Sequence, residues 1–419
     1  MPSFPAGSTL LHVGPPKTGT TSLQDALDAA DERLRELGVA LPGGCSNPTV
    51  AVNGGTGVFK GPNYDQAWRG LVDAVKRSES RIQVISSEHF AHARADDARR
   101  IVETLGGPTV RVVITLRPLQ EILPSLWQQF VQSGEADPFP IWLKRVLSDL
   151  PTDEHSDRYL TQIWQRQYIE RWAAAAGPQN VTVVVVDRHR PEDLLRQFET
   201  MIGVSEGLLT IPERRRNESL NLAEVELLQD CYAELRDLGW AKHDARRYLL
   251  FGAATRIRTT QTQRPTARDI VTPDWAQERA VELGTELAAL LPTMGVDVVG
   301  DPTRLRGAVV RKSVEPIPLD SSAAVQAVIG VLQIAAEDRD LAARSREGEQ
   351  SETDRALRAA TTHSKRVERE LRAERAKVEE ALRQRDALAA IPDAVRTRSA
   401  ELLRILRRRA IRKLWPRAR

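Results

Sequence analysis

The sequence predicts an α/β fold, a central and mainly parallel sheet flanked by helices, followed by a C-terminal helical extension. Three observations predict it. Residues 109–116 and 181–186 are β-branched runs without polar alternation, the pattern of strands buried on both faces. Each strand-like run is followed by apolar residues spaced three and four apart, the period of a helix packed on a sheet. Beyond about residue 320 the chain turns charged and heptad-like, with no further strand signal.

The first strand is the apolar run 9–13. It feeds the turn Gly14-Pro15-Pro16-Lys17-Thr18-Gly19-Thr20-Thr21-Ser22, and Leu23, Leu27, Ala30, Leu34 and Leu37 then place one apolar stripe on a helix. The turn therefore sits at a helix N-terminus. There the unpaired backbone N–H groups of residues 18–22 and the positive end of the helix dipole favour a phosphate-like dianion, and Lys17 adds a full charge. A nucleoside-triphosphate loop is a poor match, because that pattern places Lys after its second glycine with a magnesium-binding Ser or Thr next, whereas Lys17 precedes Gly19.

Residues 38–42 read as a short second strand, and 43–64 as a polar loop of the kind that borders an active site. A helix over 66–78, with Trp68, Leu71, Val72 and Val75, leads to a strand over 81–86. Glu88 and His89 follow that strand, where open parallel sheets carry their functional groups. Taken singly, each also reads as a helix-start charge and a surface histidine. A helix over 96–105 precedes the central strand 109–116, which ends at Arg117-Pro118. Leu119, Ile122, Leu123, Leu126, Trp127 and Phe130 continue as a helix carrying Ser125, with Pro124 expected to bend it. Helix 155–176, strand 181–186 and a helix ending at Gly203 follow, with His189 in a polar strand-end loop. Arg214, Arg215 and Arg216 form a basic turn, and 222–258 and 274–291 are helical and expected to pack on the sheet.

The organisation expected is an α/β domain over 1–315, a linker and helix over 316–345, a long helix or weak coiled coil over 346–392, and a basic amphipathic tail over 393–419. Residues 396–419 hold ten Lys/Arg and one Glu, so the formal charge of +3 resolves into +9 over 396–419 and −6 over 1–395. The tail fits a membrane surface, a partner groove or self-association. Body cations are interspersed with Asp and Glu, which argues against nucleic acid. Cys45 and Cys231 support neither a disulfide framework nor a metal cluster. No secretory leader or membrane span is apparent, so a cytoplasmic location is expected, with the tail admitting peripheral contact at the inner face of the membrane.

Pro16-Lys17-Thr18-Gly19-Thr20-Thr21 resembles, at every position, the 5′-phosphosulfate loop of sulfotransferases that use 3′-phosphoadenosine 5′-phosphosulfate. In that family the 3′-phosphate is held by an Arg at a strand end and a Ser eight residues later, and Arg117 and Ser125 have that spacing, although Pro118 follows the Arg directly. The turn 214–220 resembles the late Asn-x-Ser segment of bacterial members, which implies that Arg215 and Arg216 close over the 3′-phosphate. The resemblance spans roughly 8–310. It implies a P-loop-like three-layer sandwich without a metal, and transfer of a sulfuryl group to a hydroxyl or amine of a glycan, lipid or small molecule. Pro16 to Ser22 would form the donor site, with Lys17 on the bridging oxygen, and Glu88 or His89 as the base. Such groups include members without demonstrated catalysis. A scaffold acting through its coiled coil and tail is therefore the alternative, ahead of a nucleotide kinase.

Overall fold

The structure, a computed structural model, describes residues 3–135, 137–148, 163–212, 220–260, 270–310 and 321–389. Six strands, all parallel, form one sheet in the order β2-β3-β1-β4-β5-β6. They are β1 (Ser8–His12), β2 (Val39–Ala40), β3 (Ile82–Ser86), β4 (Val110–Leu116), β5 (Val181–Val185) and β6 (Asp297–Val299). The side chains alternate between two buried faces. Leu11, Ile85, Val112, Ile114 and Val183 pack with Trp68, Ile101, Tyr168 and Trp172 on one side, while Leu10, Val84, Val113 and Val184 pack with Leu23, Leu27, Phe198 and Ile202 on the other. Both faces being covered is why these strands carry no polar alternation. The result is the three-layer α/β sandwich expected from the sequence.

Helix α1 (Thr20–Ala29) follows β1 and stops at Ala30, and α2 (Asp31–Glu36) resumes after it. The single stripe expected through Leu37 is thus broken, and Leu37 is exposed. The stretch 43–64 is not all loop: α3 (Thr49–Gly55) and the start of α4 (Pro62–Arg77) occupy it. Gly54 and Gly55 hid α3, because glycine is a poor helix former; here they let the helix approach Tyr64 and Trp68 closely. Helix α5 (Ala95–Leu105) precedes β4, and α6 (Leu119–Gln132) follows it, running through Pro124 without a break. The edge strand β6 was not foreseen, since three half-exposed residues carry no periodic signal.

A third core contains no strand residue. Trp127 of α6, Trp142 and Leu143 of α7 (Phe139–Leu147), Val225 and Leu228 of the helix Leu222–Asp237, Leu249, and Ala276 of the helix Asp274–Leu290 pack together. The expected helix 155–176 is observed over Gln165–Ala176; its first part lies outside the described residues. One helix runs Ser321–Ala389, and the chain divides into two units between Ala335 and Ala336. The tail 393–419 and Arg214 to Arg216 lie outside the described residues. No described helix is long and apolar enough to cross a membrane.

Candidate functional site

The loop between β1 and α1 stands on a buried polar chain whose proton order follows from its end. Thr18 Oγ1 donates to the Pro15 carbonyl at 2.6 Å, so its one proton is spent and the 2.8 Å contact with Thr115 Oγ1 has Thr115 as donor. Thr115 must then accept from His12 Nε2–H at 3.0 Å. That leaves His12 Nδ1 to accept from Ser86 Oγ at 2.8 Å. The tautomer is thereby assigned from the network. Burial holds His12 neutral, lowering its pKa to about 3. The chain joins β3, β1 and β4 to the loop through side chains alone.

Two glycines make the loop possible. A Cβ on Gly14 would lie 2.2 Å from Thr115 Oγ1 and 2.4 Å from His12 Nε2, inside the polar chain. Gly19 has φ +93° directly before α1, a conformation that favours glycine. Lys17, at φ 70°, is the only non-glycine residue with positive φ among the described residues. That conformation costs a lysine about 1 kcal/mol, and it persists because Arg117 Nη1 holds the Lys17 carbonyl at 2.8 Å. Helix α1 has no side-chain N-cap hydrogen bond and no acidic residue in its first turn. Its N-terminal N–H groups are therefore left to an anion.

A cavity of ≈ 410 Å³ opens above this loop. Pro16, Lys17 and 19–22 line one side, and Glu88 lines it too. The Lys17 side chain reaches solvent within the concavity, yet the surrounding protein desolvates it. Together with the positive charge of Arg258, this lowers its pKa from the ordinary lysine value. Glu88 begins a 3₁₀ turn (Glu88–His92) at the end of β3 and is held from two sides: its Oε2 accepts from Gln24 Nε2 at 3.2 Å and Asn47 Nδ2 at 3.4 Å. His89 does not line the cavity. Its ring meets His92 edge-on at 5.8 Å, and desolvation lowers its pKa against the opposing pull of Glu88.

The structure thus brings Lys17, Thr20, Thr21, Ser22 and Glu88 around one space; Thr18 serves beneath it. Arg117 and Ser125 are not among the residues lining that space. Arg117 pairs with Glu121 Oε2 at 2.6 Å, and Ser125 Oγ donates to the Ile122 carbonyl at 3.2 Å. His189 is exposed. Arg215 and Arg216 lie outside the described residues.

The facing wall was not foreseen. Gln129, Gln132 and Ser133 at the end of α6, and Arg246, Leu250 and Arg258 from a helix over 242–260, complete the cavity. Ser125, Gln129 and Gln132 stand at i, i+4 and i+7, one polar helical face legible in the sequence. Nothing in the sequence links Arg246 and Arg258 to Lys17, because their approach depends on helix packing alone. The arrangement can grip an anion at Lys17 and the α1 N-terminus and present a carboxylate to a second molecule.

No family model and no curated protein matches the chain. Among solved structures it is similar to a sulfotransferase from Alicyclobacillus acidocaldarius, at 17% identity and a TM-score of 0.35, over 58% of this chain and 95% of that one.

Proposed function

We propose that the chain is a sulfotransferase moving the sulfuryl group of 3′-phosphoadenosine 5′-phosphosulfate to a hydroxyl or amine of a carbohydrate, lipid or small-molecule acceptor. The observation that carries the reading is one cavity lined by both Lys17, on a loop at an uncapped helix N-terminus, and Glu88, a carboxylate held by Gln24 and Asn47. Sulfuryl transfer resembles phosphoryl transfer, in which the protein supplies positioning and charge stabilisation. The acceptor oxygen or nitrogen bonds to sulfur while the bond from sulfur to the bridging oxygen breaks, and its electron pair leaves with adenosine 3′,5′-bisphosphate.

Lys17 neutralises the charge growing on the bridging oxygen, and the first N–H groups of α1 hold the adjacent phosphate. Glu88 takes the acceptor proton. His89 is the weaker candidate, because its ring is turned toward His92 and away from the cavity lining. Arg117 and Ser125 bind the 3′-phosphate in this reading, with Arg117 exchanging Glu121 for the phosphate; Arg215 and Arg216 would add to it.

Thermal unfolding with adenosine 3′,5′-bisphosphate tests the reading. At a hundred times its Kd a ligand selective for the native state adds about 2.7 kcal/mol, so the melting temperature rises clearly. An unchanged melting temperature at millimolar nucleotide would leave a scaffold acting through the helix Ser321–Ala389 and the basic tail.

A further inference from the structure

We infer that Gln24 is a positioning residue: it holds Glu88 by one carboxylate oxygen and leaves the other to take the acceptor's proton. The inference rests on the sulfotransferase reading and deepens its account of the base. Gln24 stands on α1 between the buried Leu23 and Leu27, and is only 8% exposed. An amide buried at such a place costs stability unless its polar groups are bonded. Both ends of this one are, and its partners lead to Glu88.

The buried chain beneath the loop fixes which way the amide points. Ser86 Oγ spends its proton on His12 Nδ1, and the Ser86 carbonyl can only accept. The group that meets Ser86 Oγ at 3.3 Å and its carbonyl at 3.2 Å must therefore be Gln24 Nε2. The same nitrogen reaches Glu88 Oε2 at 3.2 Å. Gln24 Oε1, turned the other way, accepts from Asn47 Nδ2 at 3.3 Å, and Asn47 Nδ2 also donates to Glu88 Oε2 at 3.4 Å. A hydrogen-bonded chain thus runs unbroken from the Pro15 carbonyl under the loop, through Thr18, Thr115, His12, Ser86 and Gln24, to Glu88.

Both amide donors fall on Oε2, and Oε1 accepts no hydrogen bond among the described residues. The occupied oxygen anchors the carboxylate, and Oε1 is the oxygen left for the substrate. As the acceptor oxygen bonds to sulfur and the bridging oxygen leaves with adenosine 3′,5′-bisphosphate, the acceptor's proton passes to Oε1. Gln24 is not among the residues lining the cavity, so it acts through Glu88 and touches neither substrate. Losing such a support misplaces the base, which lowers the rate without weakening the donor's grip.

Sulfuryl transfer from 3′-phosphoadenosine 5′-phosphosulfate to water and to glycerol at molar concentration tests this on the full chain, with calorimetry of adenosine 3′,5′-bisphosphate reading the donor site. Gln24→Met keeps the length of the side chain and removes its donor. Turnover is expected to fall about tenfold or more, the loss of one hydrogen bond to a charged group, while bisphosphate affinity stays within about twofold. The double variant Gln24→Met/Glu88→Gln is expected to be no slower than Glu88→Gln alone, because a residue that acts through Glu88 then has nothing left to position. A merely structural role would make the two losses multiply. Asn47→Leu, at a half-buried position, gives the same pattern and reads the carboxylate even if Gln24→Met fails to fold. Full turnover in Gln24→Met, multiplying losses, or bisphosphate affinity lost with kcat preserved would overturn the proposal. Failure of the sulfotransferase reading shows separately, as no bisphosphate binding by the unsubstituted chain, and takes the inference with it. Binding without transfer to either hydroxyl overturns the base role of Glu88 and its positioning by Gln24 together.

Discussion

Strands β1 and β4 lie side by side at the centre of the sheet, and each is followed by a basic residue just before a helix, yet the two cations are held differently. Lys17 projects into the cavity from a strained backbone at an uncapped helix start, with no carboxylate bound to it in the loop. Arg117 is half-buried and already engaged, by Glu121 four residues on and by the Lys17 carbonyl itself. The difference teaches that position at a strand end makes a cation available only where its own helix does not answer it. At α6, Glu121 occupies the first turn, where the helix dipole favours an acid. At α1 that turn is free of acids, and the dipole is left for a ligand.

The sharpest way to break the contrast is Lys17→Ala. If Lys17 neutralises the leaving oxygen as proposed, turnover falls by roughly 10³, in the range found for deleted oxyanion donors, with the fold intact by circular dichroism; unchanged turnover would remove Lys17 from the chemistry. Glu88→Gln should lower kcat by about 10² at unaltered nucleotide affinity, since a base acts on the acceptor. A drop in nucleotide affinity with kcat preserved would instead make Glu88 part of the donor site. Arg117→Ala separates ligand from brace. If the guanidinium grips the 3′-phosphate, affinity for adenosine 3′,5′-bisphosphate falls about tenfold or more while that for adenosine 5′-phosphate stays; equal losses would show that Arg117 serves only the Lys17 carbonyl.

The floor of the loop can be challenged in the same way. Gly14→Ala pushes a methyl between Thr115 and His12, and overpacking of that kind costs about 1–3 kcal/mol, readable as a lower urea midpoint. The last test is one of pH. His12 has a folded pKa of about 3 against 6.5 unfolded, so between those values the unfolded chain binds the extra proton and stability rises with pH. As pH falls through that window, His12 removes stability at up to about 1.4 kcal/mol per unit. Its ring resonances should not titrate between pH 8 and 5 in the folded protein; a midpoint near 6 would place His12 in a wetter setting.

The sequence by itself determined the sandwich and one half of the site. β-branched runs such as 181–186 can be satisfied only between two helical layers, and a Gly/Thr turn with Lys17 between an apolar run and an apolar stripe has one sensible conformation. Helix α3 and strand β6 escaped because glycines mask the one and three edge residues are too few for a period. Only the tertiary structure decided which cations share a space. Arg246 and Arg258 line the same cavity as Lys17, on either side of a π-helical stretch packed against Gly330, while Arg117 is paired with Glu121. Local periodicity reports which face of an element is buried. It carries no record of which element lies opposite, and that is set by packing between residues more than two hundred apart in the chain.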